Sequence, residues 1–278
     1  MTRGLFGAAV SLVVLLCATS TQAATRDDFP SCYGLMDRAD LANTAPGREL
    51  FVIVDQTVPL DLSLKRSIHS KVHRFLQPGD RFTLLTFSAF AKNRYAAMPL
   101  TGKLDFPLDD DTRYRTSIAE LKEFDHCMTQ QKAYVDHTID MKLKAALEDA
   151  STDLPNTELA GSLARFGTSV ISHSAAPKVT VLVVSDMLEN SDAATFYSHG
   201  QVIPINPQTA LQSVQKAGLI SDWNGATVYV IGAGLLPGDG YRSAQILHSL
   251  ENFWADYFKQ SDAELAGWGQ PDLMTDLQ

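Results

Sequence analysis

The fold is decided by one seven-residue stretch, Glu49-Leu50-Phe51-Val52-Ile53-Val54-Asp55. Its five central residues are all apolar, and the residues at both ends are acidic. An uninterrupted apolar run is typical of a strand that is buried on both faces, because a half-exposed strand would alternate apolar and polar residues. The stretch therefore predicts a central strand of a parallel sheet, with an aspartate at its carboxyl end.

The same pattern recurs along the chain and predicts an α/β fold. Further strands are predicted at 80–87, at 94–100 as a short antiparallel edge, at 178–186 and at 226–232. Helical periodicity is found between them, at 60–76, 117–150, 157–172, 209–217 and 243–260. The long stretch 117–150 is compatible with one helix or two. Strands that alternate with helices predict a doubly wound, mostly parallel sheet in a three-layer, Rossmann-type arrangement.

The first 23 residues have the pattern of a secretory signal peptide. Arg3 precedes a short apolar run over 5–16, and the small residue Ala23 closes the segment. The run is shorter than the roughly 20 residues that span a bilayer, although an uncleaved membrane anchor is the alternative. We therefore expect cleavage near Ala23 and a periplasmic or secreted protein without stable membrane insertion after cleavage.

The remaining chain has no repeat and no clear linker. The sequence predicts an N-terminal extension over 24–46, one domain over 47–260 and an irregular C-terminal tail over 261–278. The tail is suggested by its glycines and its proline, which interrupt regular structure.

Charge and cysteine content limit the function further. Lys+Arg 23 against Asp+Glu 32 gives a net charge of −9. We expect no nucleic-acid partner, because binding to phosphates requires basic patches. Cys32 and Cys127 follow the signal segment, and in an oxidising compartment such a pair is more often bridged than free. We therefore expect a disulfide, with two buried thiols as the alternative.

Oxygen-bearing side chains follow the predicted strands. Two of the buried strands end in an aspartate, Asp55 and Asp186, and ligands bind beyond the carboxyl ends of parallel strands. Thr57 lies two residues after Asp55, and Thr157 lies at the start of a predicted helix. Two carboxylates and two hydroxyls suit a hard divalent cation such as Mg²⁺. The alternative is that both aspartates only cap turns and helix N-termini.

These stretches resemble the motifs of von Willebrand factor type A domains. Asp55-Gln56-Thr57-Val58-Pro59 resembles the family's Asp-x-Ser-x-Ser motif. Asn156-Thr157 resembles the segment that supplies a threonine, and Val183-Val184-Ser185-Asp186 resembles the strand that ends in the second aspartate. The resemblance covers about Leu50 to Gly234, with the motifs in the expected order.

The resemblance implies a metal-ion-dependent adhesion site. Its implied ligands for Mg²⁺ or Mn²⁺ are Asp55, Thr57, Thr157 and Asp186. The implied site is degenerate, because Pro59 replaces the second serine of the motif and removes one oxygen ligand. Glu189 and Asn190 follow Asp186, and we expect them either to replace the missing ligand or to face solvent.

Two functional hypotheses follow. The resemblance implies a non-enzymatic module that binds a protein partner in the cell envelope, with a partner carboxylate completing the coordination of the cation. The alternative is a metal-dependent hydrolase, such as a phosphatase with Asp55 as its nucleophile. In that class the usual second acid lies two residues later, where this chain has Thr57. His69 and His73 share one helix face, but the sequence shows no third ligand beside them and favours a solvated pair over a zinc site.

Overall fold

The computed structural model describes residues 26–88, 96–150, 158–199, 201–235 and 242–278. The predicted signal peptide over 1–23 lies outside these residues, and so does Thr157. Among the helices of the described residues, none is both long enough and apolar enough to cross a membrane.

A six-stranded sheet forms the centre of the protein. The strands, in chain order, are β1 (Glu49–Asp55), β2 (Arg81–Phe87), β3 (Ala97–Lys103), β4 (Val179–Val184), β5 (Tyr197–Ser198), β6 (Gln201–Val202), β7 (Ala226–Ile231) and β8 (Ala263–Trp268). Along the sheet the order is β3-β2-β1-β4-β7-β8, while β5 and β6 form a separate ribbon. β3 is antiparallel to β2, and the other neighbouring pairs are parallel. The predicted α/β fold with one antiparallel edge strand is therefore confirmed.

Helices cover both faces of this sheet. In chain order they are α1 (Cys32–Leu35), α2 (Leu62–Phe75), α3 (Asp110–Arg115), α4 (Ile118–Glu148), α5 (Leu159–Ser169), α6 (Pro207–Lys216) and α7 (Ala244–Gln260), with 3₁₀ turns at Ala39–Leu41 and Ile171–His173. On one face, Ile68 of α2 and Ile139 of α4 share a core with Val52 of β1. On the other face, α5, α6 and α7 share a core with Ile53. Successive residues of β1 point to opposite faces, which explains why the whole strand is apolar.

The region 117–150 forms one long helix rather than two. Ser117 caps α4, because its side chain accepts a hydrogen bond from the backbone N–H of Glu120 while the Glu120 carboxylate accepts one from the backbone of Ser117. Val135, Ile139 and Leu143 recur every four residues and are fully buried. α4 therefore packs on the domain through one apolar stripe and leaves its other side to solvent.

The residues after 260 are not an irregular tail throughout. Ala263–Trp268 forms β8, which pairs with β7 at the edge of the sheet. Leu273 and Leu277 then pack into the core beneath α2, and the Thr180 hydroxyl donates to the backbone oxygen of Gln278 at 2.8 Å. The expectation was wrong because an edge strand is only partly buried and lacks the continuous apolar run of a central strand.

Cys32 and Cys127 form the expected disulfide, which joins α1 to α4. Tyr33, Leu108 and Phe124 pack around the cysteines as a small core of their own. The bridge therefore fastens the N-terminal extension to the long helix of the domain.

Removing the disulfide should lower the free energy of unfolding by about 2–4 kcal/mol, because the bridge reduces the number of conformations that the unfolded chain can adopt. Urea unfolding of the wild type and of the Cys32→Ala/Cys127→Ala variant, each with and without a reductant, measures this effect. The reductant should bring the wild type to the stability of the variant and leave the variant unchanged. Equal stability of the wild type and the variant in the absence of reductant would contradict the prediction.

Candidate functional site

Asp55, the last residue of β1, is firmly held at the carboxyl edge of the sheet. It is only 2% exposed. Its Oδ1 accepts hydrogen bonds from the backbone N–H of Thr57 at 2.9 Å and from the Thr57 hydroxyl at 2.6 Å. Its Oδ2 accepts one from the hydroxyl of Ser185 at 2.7 Å. The Asp55 carboxylate therefore links the loop after β1 to the loop after β4.

Asp186 reaches the same edge because β1 and β4 are parallel neighbours, with Val54 in register with Val184. Asp186 is partly exposed, and its Oδ1 accepts the backbone N–H of Leu188 at 3.0 Å. Its carbonyl oxygen accepts the N–H of Gly234 at 2.9 Å, which adds the loop after β7 to this edge. Three of the predicted ligands, Asp55, Thr57 and Asp186, are thus brought to one edge of the sheet.

The negative charge of Asp55 perturbs the ionisation of Asp186. The pKa of Asp186 is raised to about 7, first by burial and then by the negative charge of Asp55. Burial also raises the pKa of Asp55, although hydrogen bonds from Thr57 and Ser185 act against this effect. Two desolvated carboxylates repel each other, and a bound cation would stabilise both in the ionised form. The electrostatics of the pair therefore favour a bound positive charge.

Ser185 and Gly232 shape this edge, and the sequence singled out neither as a site residue. The Ser185 hydroxyl donates to Asp55 and accepts the backbone N–H of Met187 at 3.0 Å. Gly232 has φ +100, and a Cβ at this position would lie 2.9 Å from the carbonyl oxygen of Ser185. Glycine is needed here because a larger residue would be strained in this conformation and would crowd Ser185. In the sequence, Ser185 could have been recognised as a site residue because it directly precedes Asp186.

Arg242 and Tyr197 bring a positive charge and a phenol to the same region. The Arg242 guanidinium donates from Nε to the carbonyl of Gly234 at 3.0 Å and from Nη2 to that of Leu235 at 3.3 Å. Its charge offsets part of the rise in the pKa of Asp186. Burial, followed by the charge of Asp186, raises the pKa of Tyr197 to about 12. Neither residue could be singled out from the sequence, because neither belongs to a recognisable motif and Arg242 lies far from both aspartates along the chain.

The donor set fits a hard divalent cation. The carboxylates of Asp55 and Asp186 and the hydroxyls of Thr57 and Ser185 offer only oxygen atoms, which Mg²⁺ and Mn²⁺ prefer. Pro59 is exposed and contributes no side-chain oxygen. A cation would retain more water here than in a site with the second serine, and Mg²⁺ commonly keeps several waters.

Thr157, the fourth predicted ligand, lies outside the described residues, which resume at residue 158. Beyond it, α5 begins at Leu159, and its N-terminus is capped by Glu189 from the loop after β4. Glu189 is fully buried, and its Oε2 accepts the backbone N–H of Ala160 at 2.7 Å. Of the two alternatives expected for Glu189, exposure to solvent is wrong, because its side chain is buried and accepts a backbone N–H at the N-terminus of α5.

No protein-family model and no curated protein matches this chain. Among solved structures, proximal thread matrix protein 1 from the mussel byssus is 14% identical, with a TM-score of 0.36 over 83% of this chain and 43% of that one. A second structure of the mussel protein, described as having a zinc-occupied MIDAS motif, is 15% identical, with a TM-score of 0.33 over 75% of this chain and 39% of that one.

Two bacterial structures are similar to a comparable degree. An aerotolerance-related membrane protein from Bacteroides fragilis is 16% identical, with a TM-score of 0.37 over 81% of this chain and 92% of that one. A pilus adhesin from Lactobacillus rhamnosus is 12% identical, with a TM-score of 0.41 over 80% of this chain and 28% of that one. This chain spans less than half the length of the mussel protein and of the adhesin. At these TM-scores the likenesses carry no argument about function.

Glu189 should make the stability of the protein depend on pH. Burial raises its pKa from 4.5 to about 7. Between these values the folded protein holds a proton that the unfolded chain releases. The stability contributed by this group is therefore greatest below about pH 4.5 and falls as the pH rises to about 7. Glu189→Gln keeps a side-chain oxygen that can accept the backbone N–H of Ala160, but it removes the titratable carboxyl group.

Urea unfolding of wild type and Glu189→Gln at about pH 5 and about pH 7.5 tests this dependence. The stability of the variant relative to wild type should increase by about 1–3 kcal/mol towards the higher pH. Asp186 contributes a dependence of the same sign to both proteins, so their difference reports Glu189. Asp192→Asn, an exposed change in the same loop, serves as the control and should follow the wild type. Parallel curves for wild type and Glu189→Gln would refute the assignment.

Proposed function

We propose that this protein is an exported protein-interaction module that binds a divalent cation at the carboxyl edge of its sheet and uses it to hold an acidic group of a partner. The observation that carries the proposal is the aspartate pair at this edge. The pKa of Asp186 is raised to about 7 by burial and by the charge of Asp55, so a second negative charge beside Asp55 is unfavourable unless a cation neutralises it.

Asp55, Thr57 and Asp186 are the proposed ligands, with Thr157 as a fourth. Bound Mg²⁺ or Mn²⁺ would supply a positive charge with coordination positions left for a partner carboxylate. The chain's own residues prepare the edge for this role. Ser185 fixes the orientation of Asp55, and the Thr57 hydroxyl donates to the other oxygen of the same carboxylate, which holds both oxygen-bearing side chains at this edge.

The partner is proposed to be an acidic segment of a protein in the cell envelope. Arg242 lies near Asp186 and adds a positive charge that would also attract a carboxylate. Export is supported by the Cys32–Cys127 disulfide, because such bonds persist in oxidising compartments. Together with the predicted signal peptide over 1–23, the disulfide favours a periplasmic or secreted protein.

A metal-dependent hydrolase is less well supported by the geometry. Asp55 is 2% exposed and both of its carboxylate oxygens accept hydrogen bonds, so neither is poised to attack a phosphate. Thr57 occupies the position of the usual second acid, and its hydroxyl donates to the Asp55 carboxylate. It therefore does not replace a carboxylic acid that could protonate a leaving group. Turnover of a phosphate ester that is lost in Asp55→Asn would favour the hydrolase instead.

Asp186→Asn should weaken binding of Mg²⁺ or Mn²⁺ by about tenfold or more, because it removes one of two charged ligands. Isothermal titration calorimetry of the wild type, Asp186→Asn and Asp192→Asn measures the effect. Asp192→Asn removes an exposed carboxylate from the same loop and should bind as the wild type does. The same affinity in all three proteins, or no binding by the wild type, would dispose of the cation site.

Binding of an acidic partner should require both the cation and the aspartate pair. A library of acidic peptides immobilised on a surface should retain the wild type in Mg²⁺, release it in EDTA, and not retain Asp186→Asn. Replacing the glutamates and aspartates of a retained peptide by their amides should abolish binding, because the amide cannot complete the coordination as an anion. Peptide binding that is unaffected by EDTA and by the Asp186→Asn substitution would contradict the proposed cation-dependent binding.

A further inference from the structure

A second group of possible metal ligands lies on the helical layer formed by α2 and α4. His69 and His73 are one turn apart on α2, and Asp136 and Asp140 are one turn apart on α4. The side chains of His69 and His73 are 25% and 29% exposed, and that of Asp140 is 50% exposed. The four residues therefore face one another across the helix pair at a position that solvent ions can reach.

Both imidazoles converge on Asp140. His69 Nδ1 lies 2.8 Å and His73 Nε2 lies 2.7 Å from the same oxygen, Asp140 Oδ1. One ligand atom from each of the three residues lies within 4.8 Å of the others. The sequence showed no third ligand beside the histidine pair, and the structure supplies Asp140 as a candidate. The third ligand could not be seen in the sequence because it belongs to a distant helix.

The remaining nitrogen of His73 lies close to a second carboxylate, that of Asp136. His73 Nδ1 lies 3.3 Å from Asp136 Oδ1. The Asp136 carboxylate is itself held by Lys132, whose Nζ lies 2.5 and 2.6 Å from its two oxygens. A histidine that binds a metal through one nitrogen commonly donates its other N–H to a carboxylate, which fixes the ring and its tautomer. This second contact does not involve Asp140, and it also supports metal binding by His73.

We propose that His69, His73 and Asp140 bind a transition-metal ion of the Zn²⁺ class, with Asp136 as the positioning residue for His73. Two imidazoles and one carboxylate are typical ligands of Zn²⁺, whereas Mg²⁺ prefers oxygen ligands alone. Three protein ligands leave at least one coordination position for water or for a group of another molecule. This site differs in ligand chemistry from the sheet edge and does not depend on the function proposed above.

The proposed ion would link α2 to α4. The two helices share the core on this face of the sheet, with Val72 of α2 and Val135 of α4 fully buried. An ion bound by residues of both helices stabilises the folded state, because the unfolded chain does not hold these ligands together. Zn²⁺ should therefore raise the thermal midpoint of the wild type.

The test is a Zn²⁺ titration of the untagged protein by calorimetry, in a buffer that contains excess Mg²⁺ to occupy the sheet edge. The wild type should bind one Zn²⁺. His69→Gln/His73→Gln should bind at least about 100-fold more weakly, and Asp136→Asn should bind about 10–100-fold more weakly. His137→Gln, a change of an exposed histidine on the same helix α4, should leave the affinity unchanged.

Two further measurements keep the result unambiguous. Circular dichroism checks that each variant is folded, and Co²⁺ used in place of Zn²⁺ should show the visible absorption of a nitrogen- and oxygen-coordinated ion in the wild type only. Asp186→Asn should not alter Zn²⁺ affinity, so failure of the sheet-edge site and failure of this site are distinguishable. The proposal is overturned if the folded wild type does not bind Zn²⁺ or if the double histidine variant binds it equally well.

Discussion

The parallel pairing of β1 with β4 positions the polar groups of the sheet edge. It places Asp55 and Ser185 side by side at the ends of neighbouring strands, where the hydroxyl and the carboxylate form a buried hydrogen bond. That bond can form only if the two strands keep their register, because a shift by one residue would turn a side chain to the opposite face. The apolar strands thus position the polar edge.

The polar edge is costly for the protein. Asp55, Asp186 and Glu189 all have pKa values raised by burial, which means that their charged forms are disfavoured. The protein compensates locally rather than by excluding the charges. The hydroxyls of Thr57 and Ser185 donate hydrogen bonds to Asp55, and the guanidinium of Arg242 lies near Asp186. At the N-terminus of α5, a backbone N–H donates to Glu189. Such concentration of perturbed carboxyl groups at one edge is characteristic of functional sites.

The two proposed cation sites use different principles of construction. At the sheet edge, loops after neighbouring strands supply oxygen ligands, and their burial makes a cation favourable. On the α2–α4 layer, pairs of residues one helical turn apart supply imidazoles and carboxylates near the surface. The difference in ligand type is expected to separate the ions, since oxygen donors suit Mg²⁺ and imidazoles suit Zn²⁺.

The central strands, the antiparallel edge strand and the aspartates at the strand ends could be predicted from the sequence, because apolar runs and turn signals are local patterns. The cysteine bridge was expected from the predicted oxidising compartment. The sequence did not determine β8, whose partial burial at the sheet edge leaves a weak pattern. Three contacts became visible only once the helices and strands were packed together: Ser185 donates to Asp55, Glu189 accepts at the N-terminus of α5, and Asp140 contacts His69. These contacts connect residues far apart in the chain, and their partners are fixed by how the helices and strands pack.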